Sequence, residues 1–352
     1  MKKIRVGIIG AGFGRYCLSP AFRSDPRCEI VAIGATSPER AKAAAAREGI
    51  PSAYAGWKEI ACHPEIDAVA IAAPPHLQPE IAMAALASKK AVFAEKPLAT
   101  TVQDAEALHQ TARSSKLANV VDFIFPELAT WQQTRELVRQ GAIGKLRHIN
   151  LDWRMESYDN QKGLRGWKTR ADLGGGALQH FGSHTLYYLE WLFGPIVGLF
   201  AKLFCSPDTL QDGDTFVVLA IRFANGVSGS VTLSNAAPFG SGHRLEIYGS
   251  EGSLRLMNTE QDAVQGFRLW AATRANSNFR EIAAEPLPKP ATGVDSRVRP
   301  VSRLAARFLD WVERNVPTTP SFQEGLRVQQ LIAAAQQSEM SGGWVDCPPE
   351  QG

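Results

Sequence analysis

Ile4-Arg5-Val6-Gly7-Ile8-Ile9-Gly10-Ala11-Gly12-Phe13-Gly14-Arg15 is the stretch that decides the fold. Its β-branched run reads as a buried strand, and helical patterning begins directly after the glycines, over roughly Gly14–Ser24. A strand, a Gly-rich turn and a helix in that order can hold a dinucleotide pyrophosphate. Glycines let the backbone turn tightly and approach the phosphates, and the helix N-terminus supplies amide donors and a favourable dipole. The pattern G-x-G-x-x-G would put glycine at position 15, where this chain has Arg15; Gly14 can restore close packing of helix on strand. Gly10, Gly12, Phe13, Gly14 and Arg15 are therefore candidate cofactor-binding residues. The plainer alternative is a tight turn with no ligand.

Outward from this turn, the first 120 residues alternate short apolar runs with helical patterns. Strands are expected at Ile4–Ile9, Glu29–Ile33, Ala68–Ala72, Ala91–Ala94 and Ala118–Asp122. Helices are expected over Gly14–Ser24, Pro38–Glu48, Gln78–Lys89 and Thr101–Ser115, with Ser37 and Thr101 as N-caps and Pro38 at the first helical position. Nearly all-apolar strands separated by helices predict a parallel sheet covered on both faces. The expected fold class is α/β: an N-terminal doubly wound Rossmann domain over 1–122, then a C-terminal α/β domain over 123–352 on a large, mostly antiparallel open sheet, with the last helices free to pack back on the first domain. In the second part, helices are expected over Pro126–Arg139, Ala177–Phe193, Leu304–Asn315 and Phe322–Met340. Strands are expected at Leu146–Arg154, Ile196–Phe204, Thr215–Phe223, Val227–Ser234, Arg244–Gly249 and Ser253–Met257, with a hairpin turn at Asn225-Gly226 and a Pro-rich loop over Pro286–Pro300.

A ribose-gripping acid belongs about 20 residues beyond the Gly-rich turn. There the chain reads Gly34-Ala35-Thr36-Ser37-Pro38-Glu39-Arg40, with no acid at the strand end. A carboxylate would repel a 2′-phosphate, whereas the hydroxyls of Thr36 and Ser37 and the guanidinium of Arg40 would receive one. The expected cofactor is NADP(H) in preference to NAD(H). The alternative leaves Ser37 as a helix cap and Arg40 as a solvated side chain. Pro74-Pro75-His76 and Glu95-Lys96-Pro97 follow two further strands, at the rim where open α/β sheets bind ligands and where Lys96 can place its ammonium beside a nicotinamide; the plainer alternative is a surface loop with an ordinary lysine.

Composition narrows the partners. Lys plus Arg number 38 and Asp plus Glu 35, a net charge of +3 over 352 residues. That balance does not predict a nucleic-acid or membrane-surface partner. The five cysteines are scattered, without a C-x-x-C pair, so neither a zinc site nor a disulfide framework is expected. The Met1-Lys2-Lys3 opening leads into too short an apolar run for a signal peptide, and no stretch approaches 18 uninterrupted apolar residues. A cytoplasmic protein with reduced thiols is the expectation.

The chain resembles the Gfo/Idh/MocA oxidoreductases, relatives of glucose–fructose oxidoreductase and inositol dehydrogenase. The resemblance rests on the Gly-rich opening, Pro74-Pro75-His76, Ala94-Glu95-Lys96-Pro97-Leu98-Ala99 and Gly141-Ala142-Ile143-Gly144. It extends through Trp167-Lys168, Gly174-Gly175-Gly176-Ala177-Leu178 and Ile247-Tyr248-Gly249-Ser250-Glu251-Gly252, in family order over nearly the whole chain. It implies a Rossmann domain, a second domain whose sheet mediates a homodimer or homotetramer, a catalytic Lys96 and a cis Lys-Pro bond. Members carry an Asp-x-x-x-His pair after the triglycine turn. Here His184 takes the histidine's place and His180 stands where the aspartate belongs.

The expected activity is hydride transfer between a nicotinamide and a secondary alcohol of a sugar, polyol or sugar derivative. His184 would be the acid–base group, its ordinary pKa lying near neutrality. Lys96 would stabilise charge on the reacting oxygen, with His180 beside them. Trp167, Lys168 and Tyr158 are candidates to line the substrate pocket. At i, i+4 the two histidines would share one helical face. That spacing also permits a metal pair, but no third ligand is evident and no metal is expected; an aromatic packing face is the plainer alternative. Two rival functions are a glycosidase using transient NAD-dependent oxidation and a catalytically silent dinucleotide-binding sensor or scaffold.

Overall fold

The structure, a computed structural model, describes residues 3–285 and 290–348. It divides into two compact units, residues 1–124 with 290–329, and residues 125–289 with 330–352.

The first unit is built on six strands: β1 (Ile4–Ile9), β2 (Cys28–Ala35), β3 (Ser52–Ala55), β4 (Ala68–Ile71), β5 (Ala91–Ala94) and β6 (Asn119–Val121). All pairings are parallel, in the order β3-β2-β1-β4-β5-β6. This is the doubly wound order, in which the chain reverses direction across the sheet between β1 and β4 and leaves a crevice at the carboxyl edge. Every residue of β4 and β5 is buried, as a strand covered on both faces must be. The helices are α1 (Ser19–Arg23), α2 (Pro38–Glu48), α3 (Lys58–Cys62), α4 (Gln78–Ala87) and α5 (Val102–Ser115). Ser37 and Thr101 cap α2 and α5, each hydroxyl accepting the main-chain N–H three residues on.

Two elements here escape the sequence reading. The edge strand β3 and the five-residue α3 are too short for a periodic signal. In addition, the expected helix over Gly14–Ser24 opens as a π-helical turn, Gly14–Leu18, before α1 continues it. Part of the expected Pro286–Pro300 loop lies outside the described residues, at 286–289. Its end, Val298–Pro300, is the first turn of helix α9 (Val298–Arg314) instead. Proline is tolerated there because first-turn amides lack intrahelical partners anyway.

The second unit carries α6 (Ala129–Arg139), β7 (Leu146–Arg154), α7 (Tyr158–Gln161), α8 (Ser183–Phe193), β8 (Ile196–Phe204), β9 (Phe216–Phe223), β10 (Ser228–Ser234), β11 (Gly242–Gly249), β12 (Gly252–Asn258), β13 (Arg268–Thr273), β14 (Asn276–Ile282) and β15 (Val345–Asp346). Helix α10 (Phe322–Ser341) has its residues divided between the units. The nine strands run β14-β13-β12-β11-β7-β10-β9-β8-β15. All pairs are antiparallel except β7 with β10. Burial alternates along β9 and β11, so one face of the sheet is packed and the other half-exposed. The strand β13 and the polar edge strand β14 next to it carry no alternation that the sequence reading could detect. The continuous helix expected over Ala177–Phe193 starts as a π-helical segment, Leu178–Gly182.

Candidate active site

In the first unit the predicted cofactor residues converge on the carboxyl edge of the parallel sheet. Each glycine of the turn after β1 has a different reason to be there. Gly10 has φ +117°, and a Cβ would lie 2.4 Å from the Ala72 carbonyl oxygen. A Cβ on Gly14 would lie 2.8 Å from Ile8 Cγ2, so this glycine does what the missing third glycine would do for helix–strand packing. At Gly12 a Cβ would meet no protein atom within 4 Å. The missing side chain leaves room there for a ligand to approach the backbone. The residues present therefore fit a dinucleotide pyrophosphate. Arg15 turns its guanidinium to Glu48, at 3.0 Å.

Beyond β2, Thr36 is exposed and its Oγ1 accepts from Arg40 Nη1 at 3.4 Å. Ser37 spends its hydroxyl on the α2 cap, accepting from Arg40 N at 3.3 Å. Two of the three predicted phosphate-receiving groups thus lie together at the surface, and the third is engaged in capping the helix.

Pro74, Pro75 and His76 follow β4, and Glu95, Lys96 and Pro97 follow β5; the Lys96–Pro97 bond is cis. Gln78, fully buried at the start of α4, ties these two segments together. Its Nε2 donates to the Glu95 carbonyl at 2.9 Å and to the Pro97 carbonyl at 2.7 Å. The loop that presents Lys96 is therefore clamped on both sides of the lysine. The Lys96 amide donates to Glu95 Oε2 at 3.2 Å. Asp122, buried just past β6, has its carboxyl held well above the usual carboxylate range by burial and by the neighbouring Glu95, against the opposing pull of Lys96 and Arg297. Sequence reading missed Gln78 and Asp122. The only available signals were a glutamine at a helix start and an acid at a strand end.

In the second unit, Trp167, Lys168 and His180 come together. The rings of Trp167 and His180 are 6.3 Å apart edge to face, and His180 lies 5.1 Å from the Phe181 ring. Lys168 Nζ is 3.4 Å from Asp159. The triglycine turn is pressed against this segment: a Cβ on Gly175 would sit 2.5 Å from the carbonyl oxygens of Trp167 and Lys168. A Cβ on Gly176, at φ +107°, would sit 2.5 Å from Asp214 Oδ1. Asp214 accepts the Leu178 N–H at 2.7 Å through Oδ2 and the Ala177 N–H at 2.8 Å through its carbonyl. Loss of water raises its pKa to about 6, with these amides pulling the other way.

The two histidines have different surroundings, His180 half-exposed in the π-helical segment and His184 buried at the start of α8. His184 is buried in an aromatic cluster, 5.0 Å from Phe125 and 6.3 Å from Trp153 between ring centres. Tyr158 stands on α7 with 65% of its surface exposed. Another buried histidine, His243, escaped the sequence reading. It stacks on Trp153 at 4.4 Å, and its Nε2 is 2.9 Å from the Tyr188 hydroxyl, itself 3.0 Å from Thr185 Oγ1. Burial pushes its pKa down to about 3, so it stays neutral.

Among the described residues, no helix is long and apolar enough to cross a membrane, and no group of three or more His, Cys, Asp or Glu is placed to hold a metal.

Comparison with known proteins places this geometry. Residues 4–123 match the family model described as an oxidoreductase family with an NAD-binding Rossmann fold, and residues 131–255 match the GFO/IDH/MocA C-terminal domain. An oxidoreductase of Synechocystis sp. is 31% identical over 98% of this chain and 96% of its own length. Levoglucosan dehydrogenase of Pseudarthrobacter phenanthrenivorans is 26% identical over 99% of both chains. A levoglucosan dehydrogenase structure in complex with NADH and L-sorbose superposes with a TM-score of 0.86 at 25% identity, covering 99% of each chain. The apo form gives 0.87 at 26%, covering all of both.

Proposed function

Because the chain belongs to the GFO/IDH/MocA family of NAD-binding oxidoreductases, we propose that it moves a hydride between a nicotinamide dinucleotide and a secondary alcohol carbon of a sugar, polyol or sugar derivative. The observation that carries the dinucleotide part is Gly12, bare in a turn whose other two glycines are walled in. The sugar part draws on relatives that are levoglucosan dehydrogenases.

When bound, the nicotinamide supplies or accepts the hydride. The chain's own residues do the rest. Lys96, on its clamped loop, donates a hydrogen bond to the reacting oxygen and stabilises its negative charge. His184 takes the hydroxyl proton in oxidation and returns it in reduction. His180 positions the substrate beside Trp167 and Lys168, and Tyr158, exposed on α7, adds a further contact to it.

On cofactor choice, the surface pair Thr36 and Arg40, with no acid at Ala35, supports NADP(H) over NAD(H). The NADH complexes of levoglucosan dehydrogenase make the contrast worth measuring. Calorimetric titration with both reduced cofactors checks it, and a tenfold preference for NADH, about 1.4 kcal/mol, overturns it. The half-exposed sheet face of the second unit supports a homodimer or homotetramer, and five free cysteines support a reducing, cytoplasmic setting. The activity is tested by screening polyols, aldoses and anhydrosugars for cofactor oxidation or reduction at 340 nm. Failure of the purified protein to bind either dinucleotide would refute the reading.

A further inference from the structure

The Gly-rich turn has a neighbour that the sequence separates from it by most of the chain. Arg297, on the segment leading into α9, belongs to the first unit, and its guanidinium lies 4.7 Å from the centre of the Phe13 ring and 5.9 Å from that of Tyr16. Those two rings meet edge to face at 5.6 Å. The guanidinium is held from one side by Asp295. Nε donates to Oδ1 at 2.8 Å, Nη2 to Oδ2 at 2.7 Å, and the Arg297 main-chain N–H to Oδ1 at 2.9 Å.

This bidentate grip fixes the plane of the fork and engages its Nε and Nη2 edge, leaving Nη1 as the amine directed away from Asp295. The group is close enough to the sheet edge for its charge to bear on Asp122, after β6, and on Cys17, in the π-helical turn. A cation thus stacks on the middle residue of Gly12-Phe13-Gly14, next in the chain to the glycine where a Cβ would meet no protein atom.

We propose that Arg297 is a further dinucleotide-binding residue, its guanidinium stacked on Phe13 and its Nη1 amine serving the phosphate groups received by the Gly-rich turn. The inference rests on the dinucleotide reading above and adds a residue to it. Arginine is the side chain suited to this position, because a planar cation stacks on an aromatic ring and donates to phosphate at once, whereas a lysine does only the second well. Asp295 orients the fork and accounts for its rigidity.

The test is a set of titrations of the full-length protein with NADH, NADPH, ADP-ribose and adenosine, for wild type, Arg297→Met and Arg297→Lys. Methionine keeps apolar contact with Phe13 and removes the charge. For Arg297→Met, the expected result is a loss of about tenfold in affinity for NADH, NADPH and ADP-ribose, the scale of one charge-assisted hydrogen bond. Adenosine, which has no phosphate, should bind unchanged. Arg297→Lys should lose less, about threefold, because it keeps the charge without the stack. Melting of the unliganded variants checks that the fold is kept; if Arg297→Met does not fold, the lysine variant alone decides. Affinities within twofold of wild type in both variants overturn the proposal. So does an equal loss for adenosine and ADP-ribose, which would make Arg297 a structural support of the turn. Wild-type protein that binds neither dinucleotide refutes the underlying reading, a result separate from either of these.

Discussion

The Asp214 carboxylate accepts the main-chain N–H of Leu178 at 2.7 Å, at the head of the segment that carries His180 and His184. The same carboxylate packs against the Cα of Gly176, where any side chain would collide with it. One acid thereby fixes both the triglycine turn and the start of the histidine-bearing helix.

A pH signature follows from that acid. Burial raises its pKa to about 6 from a usual value near 3.8. Between those values the folded state holds the proton more tightly than the unfolded chain, so the stability is complete below about pH 4 and declines as the pH rises through 6. Asp214→Asn should flatten that decline, by an amount on the order of 1–3 kcal/mol between pH 4 and 7. Urea denaturation of both proteins across this range is the check. Parallel curves would show that Asp214 ionises normally.

The glycines of the first turn should separate stability from binding. Gly10→Ala forces a Cβ to 2.4 Å from a carbonyl oxygen at positive φ, and should cost roughly 1–3 kcal/mol of stability. Gly12→Ala meets only open space and should leave stability within about 0.5 kcal/mol. It should nonetheless weaken dinucleotide binding by about tenfold or more, since the methyl occupies the approach to the phosphates. Thermal melts alongside calorimetry measure both; tight cofactor binding by Gly12→Ala is the contrary result.

Lys96→Ala should reduce kcat by about two to three orders of magnitude, the scale of losing one donor to a developing oxyanion, with cofactor affinity changing far less. Steady-state kinetics and a cofactor titration on the same preparation separate the two. Equal losses in turnover and binding would mark the lysine as structural.

The histidine pair makes opposite predictions for its two members. His184→Ala should lose roughly 100- to 10,000-fold in turnover and flatten the pH–rate profile near neutrality. His180→Asp restores the residue usual in the family, so activity should hold or rise and the profile should move to higher pH, because a nearby carboxylate stabilises the imidazolium. Activity abolished by His180→Asp but preserved in His184→Ala would reverse the roles.

What was legible in the sequence is what short-range chemistry writes there. Ser37 before Pro38 marks α2 to the residue, and the β-branched run before Gly10 marks β1, because caps and alternation act over a few positions. The π-helical segments at Gly14–Leu18 and Leu178–Gly182 left no trace, since one extra residue in a turn is set by packing and not by local propensity. Lys96 and the triglycine turn could be placed from motifs. Gln78, Asp122, Arg297 and Asp214 could not: each acts on a partner brought near only by the fold, Arg297 on Phe13 across more than 280 positions of chain.

The parallel pairing of β7 with β10 inside an otherwise antiparallel sheet has an evolutionary consequence. Parallel neighbours cannot be joined by a tight hairpin: the chain leaves the sheet after Arg154, regains it at Ile196 in β8, and reaches β10 only through β8 and β9. Tyr158, Trp167, Lys168, His180 and His184 all fall within the excursion between Arg154 and Ile196. Its first part, around Tyr158 and Trp167, consists of loops and short helical turns, whereas α8 is buried and Tyr188 bonds His243 of β11, so changes are absorbed most easily before the triglycine turn. Under the proposed function, selection for a new substrate would act on this one continuous stretch of about forty residues, and chimaeras that exchange 155–195 between relatives should shift specificity.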